Sequence, residues 1–244
     1  MSTAETIRQA VAEVEAMRRE SRDLPEIGAA VTRVKRLQAR RFEGTYADLL
    51  ADGTYSAAAR FFLEELYSER DYAERDAQFA RIAGAVEKLF PHDVADTASG
   101  LAQLHALTES LDHAMARALL APDSDEAAAY VRAWRAVGRR ADRQRQLETV
   151  VAIGAEMTRL TRLPGLRLML KMMRGPASAA GLGSLQRFLE SGFDTFAAIA
   201  RQRGGAERFL AIIREREERL MGMMFDAEAV ACGTELRRLL GQAR

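Results

Sequence analysis

The chain has 244 residues, a net charge of +1 and a 48 % hydrophobic share; that is enough for one large or two small domains, with no global charge pulling it towards nucleic acid. A single cysteine, Cys232, excludes an intrachain disulfide and a multi-cysteine metal site. The start, Met1-Ser2-Thr3-Ala4-Glu5-Thr6, lacks the basic and apolar regions of a signal peptide, and no apolar run approaches a membrane span, which points to a soluble cytoplasmic protein.

Ala, Leu, Arg and Glu dominate, prolines number five, and Val and Ile never alternate with polar residues for long. The chain therefore reads as all-α. A first helix spans 3–22, capped by Thr3, with Ile7, Ala10, Val11, Val14 and Met17 as its apolar stripe. Pro25 suits the first turn of a second helix to about Phe42, through Ile27, Val31, Val34 and Leu37, and Gly44 breaks it. A short helical piece over 46–51 precedes Asp52-Gly53, a turn signal, after which Thr54 or Ser56 can cap the next helix.

That next helix, over 54–67, holds the densest aromatic run of the chain. On a helical projection Phe61, Phe62, Leu63, Leu66 and Tyr67 cover a broad apolar arc, with Arg60, Glu64 and Ser68 opposite. Glu65 falls between Phe61 and Phe62, inside the apolar arc. A carboxylate there needs a cation or several donors, or stays protonated. Glu65 is thus expected to be a buried structural group, with a catalytic carboxylate as the alternative. The run Phe61-Phe62-Leu63-Glu64-Glu65-Leu66-Tyr67 resembles the signature of the bacterial FFLEELY-motif proteins. Arg70-Asp71-Tyr72, Leu89-Phe90-Pro91, Leu104-His105-Ala106-Leu107 and Leu185-Gln186-Arg187-Phe188 are similar to that family too. The resemblance implies a helical protein and assigns no catalytic residue.

Ser68 to Asp71 makes a turn, and a helix to Phe90 follows, with Phe79, Ile82, Val86 and Leu89 expected inward. Pro91 opens a long helix to Ala121. Leu101, Leu104, Leu107, Leu111, Met115 and Ala118 share one of its faces; Ala95, Ala102 and Ala106 lie opposite, where a second helix can approach closely. Ala121-Pro122-Asp123-Ser124-Asp125 is the strongest break, and Ser124 can cap a helix carrying Tyr130, Val131, Trp134 and Val137. Helices over 141–163, 184–201 (capped by Ser184), 205–225 and 227–240 complete the chain. A short segment, 166–174, and a loop, 175–183, lie between the first two of these.

Three constellations carry candidate chemistry. His105, Glu109 and His113 are spaced i, i+4, i+8 and line one flank of the long helix, beside Asp112. Imidazole and carboxylate on one flank form half of an iron, manganese or zinc site, which Glu65 or Asp76 would have to complete, since the chain has no Glu-x-x-His motif. Arg75 is a candidate partner for Glu65 or Asp112. Between Ala127 and Leu189 twelve basic residues face three acids. Within that stretch the run from Leu163 to Arg174 is basic, Met-rich and apolar, and Arg159, Arg162, Arg167, Lys171 and Arg174 are its candidate contacts to an anionic surface. Such a segment suits an anionic membrane surface or a partner helix; the alternative is apolar core with an arginine rim. Aromatics other than Trp134 do not interleave with these arginines, which disfavours nucleic acid. Gly181-Leu182-Gly183-Ser184 follows no strand and precedes no Lys, and there is no Gly-x-Ser-x-Gly elbow.

The resulting expectation is one all-α domain over 1–244 of about nine helices, with a seam near 122–124 between halves 1–121 and 124–244. Its function is read as cytoplasmic binding or scaffolding without catalysis, through self-association, a protein partner or an anionic surface. No cofactor is expected. The alternative is a helical carboxylate/His metalloenzyme of oxidase or oxygenase type, with Glu65, His105, Glu109, Asp112 and His113 around a metal ion.

Overall fold

Each apolar stripe read from the sequence becomes a helix. A computed structural model describes residues 1–67, 70–120, 124–202 and 204–242; among them there are thirteen α-helices and no strand. They are α1 (Thr3–Asp23), α2 (Pro25–Thr45), α3 (Ala47–Ala51), α4 (Ser56–Glu65), α5 (Ala73–Leu89), α6 (His92–Ala118), α7 (Glu126–Val137), α8 (Arg140–Leu160), α9 (Leu166–Met172), α10 (Arg174–Ala179), α11 (Gly183–Ala200), α12 (Gly205–Asp226) and α13 (Ala229–Gln242). The all-α fold is as expected. The count exceeds nine because the short helical piece over 46–51 is a helix of its own, α3, and because α9 and α10 form in the short segment and the loop expected over 166–183. Ala121, Pro122 and Asp123, at the expected seam, lie outside the described residues, as do Ser68 and Glu69 of the expected turn.

Several local expectations need correction. Gly44 does not end α2 but lies within it, against the backbone of α13: a Cβ there would sit 1.9 Å from the Leu239 carbonyl oxygen. A close approach, rather than a break, explains the glycine. Ser2, not Thr3, caps α1. Its Oγ accepts from the Glu5 N–H at 3.3 Å while Glu5 Oε2 accepts from the Ser2 N–H at 2.8 Å, a reciprocal capping box. Asp125, not Ser124, caps α7 by accepting the Ala128 N–H at 3.0 Å. Neither Ser56 nor Ser184 caps its helix. Leu89, at the last residue of α5, is 77 % exposed.

The chain divides into two compact units. Unit 1 comprises Met1–Glu15, Arg70–Ala106 and Thr149–Leu210. Its buried apolar side chains include Ile7, Val86, Leu104, Leu160, Phe193, Phe196, Ile199 and Phe209, and within it α11 packs on α5, α9 and α10. Unit 2 comprises Ala16–Glu69, Leu107–Glu148 and Ala211–Arg244. It buries Val34, Leu37, Phe42, Tyr46, Phe62, Leu111, Met115, Trp134, Met224 and Leu236, with α13 laid on α2 and α7.

Arginines close helix ends in both units. In unit 2 Arg135 donates to the carbonyls of Met224 and Ala227, Arg33 to that of Leu119, and Arg216 to that of Thr45 at 2.8 Å. In unit 1 Arg81 donates to Ala180 and Gly181 at 2.7 and 3.0 Å. The last carbonyls of a helix lack intrahelical donors and carry partial negative charge, so a guanidinium from a neighbour satisfies both.

Candidate functional site

Unit 2 contains a polar layer set into its apolar core, built by α1, α2, α6, α7, α8 and α12. On α2 the stripe Ile27, Ala30, Val34, Leu37 is continued by Arg41, which is therefore buried. Its Nη1 donates to Glu217 Oε1 at 2.5 Å, and the Tyr46 hydroxyl donates to the same oxygen at 2.8 Å. Burial opposes the charge on Arg41, but Glu217, with Tyr67 and Tyr46 beside it, more than compensates, and its pKa is raised. Burial and the Glu217 charge push both tyrosines up.

One turn away, Lys35 Nζ meets Glu109 Oε1 at 2.5 Å, and Gln38 Nε2 donates to Asp112 Oδ1 at 2.9 Å and approaches the Tyr130 hydroxyl at 3.4 Å. Asp112 is 3 % exposed. Burial pushes its carboxyl up to about 6; Lys35 opposes this and Glu109 adds to it. His113 Nε2 lies 3.1 Å from the Ser21 hydroxyl, and burial lowers the imidazole pKa. Arg143, on α8, stacks over Trp134 with Cζ 3.4 Å from the ring centroid, and Trp134 packs in turn on Tyr130 and Phe225.

In unit 1, Asp76 is buried on α5 and His105 Nε2 reaches its Oδ2 at 2.9 Å. Arg75 lies beside Asp76 on α5. Its guanidinium is sandwiched between the rings of Tyr72 at 3.9 Å and Phe188 at 4.5 Å, with Nε 3.9 Å from Asp76 Oδ1. Next to it Gln78 Oε1 accepts the Leu185 N–H at the start of α11, at 2.9 Å.

The expected metal flank thus has divided loyalties. His105 turns to Asp76, Glu109 to Lys35 and His113 to Ser21. Among the described residues no group of three or more His, Cys, Asp or Glu could hold a metal ion. Side chains four residues apart on a helix share a flank, but each leans towards whichever neighbour completes its hydrogen bonds. Glu65 is half-buried rather than buried, because α4 ends there.

The basic segment lies on the surface of unit 1. No residue of α9 is buried; Leu168 and Met172 are 61 % and 69 % exposed, and Met173 beside them 41 %. Three of the five basic residues are tied to acids: Arg159 to Glu156 and Asp93, Arg167 to Asp194 at 2.9 Å, and Arg174 to Glu190. Arg162 and Lys171 are exposed. A shallow, open depression lies between α9 and α11, lined by Arg167, Leu170, Lys171, Glu190, Phe193 and Asp194. No described helix is long and apolar enough to cross a membrane.

A family described as a domain of unknown function (DUF8198) matches residues 17–231. The chain belongs to the DUF8198 family. No curated protein and no solved structure matches it.

In this DUF8198 protein, Lys35, Gln38, Arg41, Tyr130, Arg143 and Glu217 were not singled out as site residues from the sequence. For two of them a signal was there. Arg41 continues an apolar stripe on α2, and Glu217 stands in the stripe Leu210, Ile213, Leu220, Met224 on α12. Two opposite charges, each embedded in an apolar face, call for one another. Lys35, Gln38 and Arg143 carry no such mark.

Proposed function

We propose that this protein is a non-catalytic helical binding protein of the cytoplasm that docks through α9 on an anionic membrane surface. One observation carries the reading: Leu168, Met172 and Met173 stand exposed beside Lys171 and Arg162. Leu168 and Met172, one turn apart, form an apolar ridge, and the basic side chains beside it suit a negatively charged interface. An exposed apolar cluster of this kind marks a contact surface more often than a scattered leucine does. Kinship with FFLEELY-motif proteins, read from Phe61 to Tyr67, is part of the same proposal and adds no activity to it. The metalloenzyme alternative draws less support, since its side chains are engaged with separate partners.

The test is co-sedimentation with phosphatidylcholine vesicles prepared with and without phosphatidylserine. Binding is expected only with the anionic lipid. Each basic charge near such a surface contributes about 1 kcal/mol, so Arg162→Ala with Lys171→Ala is expected to weaken binding about thirtyfold. Arg162 is chosen over Arg167 because Arg167 already serves Asp194. Failure of the wild type to sediment with anionic vesicles would remove the membrane reading and leave an acidic protein partner to be sought on the same ridge.

A further inference from the structure

Arg143 is as thoroughly buried as Arg41, at 5 % exposure, yet no described residue accepts a hydrogen bond from its Nε or Nη2, and both atoms are enclosed. Those two N–H groups are the parallel donors along one edge of the guanidinium. Elsewhere in the molecule the same edge holds carboxylates: Arg174 uses Nε and Nη2 on Glu190, and Arg159 uses them on Glu156. The face of the Arg143 guanidinium is occupied by Trp134, whose indole Nε1–H is likewise enclosed without an acceptor among the described residues. Three enclosed donors, two of them forming a cationic fork, therefore belong to one stacked pair with no acceptor among the described residues. Buried donors without acceptors are costly, and a buried cation without a hydrogen-bonded anion more so. Among the neighbouring acceptors, Asp112 Oδ1 and the Tyr130 hydroxyl are turned to Gln38 Nε2.

We propose that Arg143 and Trp134 form a binding site for the carboxylate of a small monoanionic ligand. The Nε–Nη2 edge grips both carboxylate oxygens, the geometry in which a guanidinium is most selective. Charge favours a carboxylate over phosphate or sulfate: beside Asp112 a carboxylate brings one negative charge into the buried site, whereas a dianion brings two, and each further buried charge is costly. The proposal concerns unit 2 alone and is independent of what α9 does.

Trp134 is the sole tryptophan of the chain, so its fluorescence reports on this site only. The full-length protein is titrated with sodium acetate and sodium benzoate, with sodium chloride at matched ionic strength as control and inorganic phosphate as competitor. A saturable change is expected with the carboxylates and not with chloride, with phosphate at least about tenfold weaker. Arg143→Lys keeps the charge but loses the fork. With its helical content verified by circular dichroism, it is expected to bind at least about tenfold more weakly. The proposal is overturned if the carboxylates match the chloride control, if phosphate binds equally well, or if a folded Arg143→Lys binds like the wild type. Should that variant not fold, a high-resolution crystal structure of the wild type grown in acetate decides: acetate on Nε and Nη2 supports the site, and water alone overturns it.

Discussion

Arg41 and Glu217 stand 176 residues apart in the chain and 2.5 Å apart in the fold. The pair is enclosed, and the Tyr46 hydroxyl shares the carboxylate. Breaking a buried pair from one side leaves an uncompensated charge, at a cost of about 3–5 kcal/mol. Glu217→Gln keeps the shape and removes the charge, and is expected to lose that much in urea unfolding. Replacing both partners, Arg41→Met with Glu217→Leu, should recover most of the loss. A single Glu217→Gln change costing under about 1 kcal/mol would show the pair to be solvated.

Gly44 and Gly154 offer a matched comparison. A Cβ on Gly44 would meet the Leu239 carbonyl oxygen at 1.9 Å, whereas one on Gly154 would meet the Leu210 side chain at 2.6 Å. Backbone cannot step aside as a leucine methyl can. Gly44→Ala is expected to cost about 3 kcal/mol or more and Gly154→Ala about 1 kcal/mol, as read from the shift in thermal midpoint. Equal costs would argue that α13 slides freely on α2.

Asp112 makes stability depend on pH in a direction opposite to that of an ordinary ion-paired carboxylate. Its carboxyl lies at about 6 in the fold against 3.8 for the free group, so the folded chain binds the proton more tightly. Its contribution is therefore favourable at low pH and is lost as pH rises from about 4 to about 6, by up to about 3 kcal/mol. Asp112→Asn, which keeps an acceptor for Gln38, is expected to equal the wild type near pH 3.5 and exceed it near pH 7.5. His113 acts in the other sense. Burial lowers its pKa from 6.5, so its contribution is lost as pH falls below that value, and comparing variant with wild type cancels it. A stability gap that did not widen with pH would show Asp112 to be ionised in the fold.

On α9, Leu168→Asp with Met172→Asp separates docking from folding. Both side chains face solvent, so unfolding free energy is expected to change by no more than about 0.5 kcal/mol per site, while anionic-vesicle sedimentation is abolished. A large loss of stability would mean that the ridge packs on something within the chain.

Much of the architecture was legible in the residues because it depends on local periodicity. The stripe Ile7, Val11, Val14 marked α1, Pro25 marked the start of α2, and the alanines Ala95, Ala102 and Ala106 on α6 are all buried, as expected from their size. Capping was read one residue off at Ser2 and Asp125, since several small polar residues in a row compete to cap and geometry selects one. The aromatic contacts of Arg75 were not legible, because a guanidinium accepts an aromatic face as well as a carboxylate and Tyr72 and Phe188 come together only in the fold.

By itself the sequence determined that this chain is all-α, where most of its longer helices lie, and that Arg41 and Glu217 sit on apolar faces. Those properties follow from side-chain period and backbone propensity within a few turns. Only the tertiary structure decided that these two charges meet, that His105, Glu109 and His113 go to three different partners, and that Arg159, Arg167 and Arg174 are engaged while Arg162 and Lys171 stand exposed. Partner choice is a long-range matter: a side chain on one helix flank satisfies its hydrogen bonds with whichever neighbour packing brings within about 3 Å, and no local pattern encodes that neighbour.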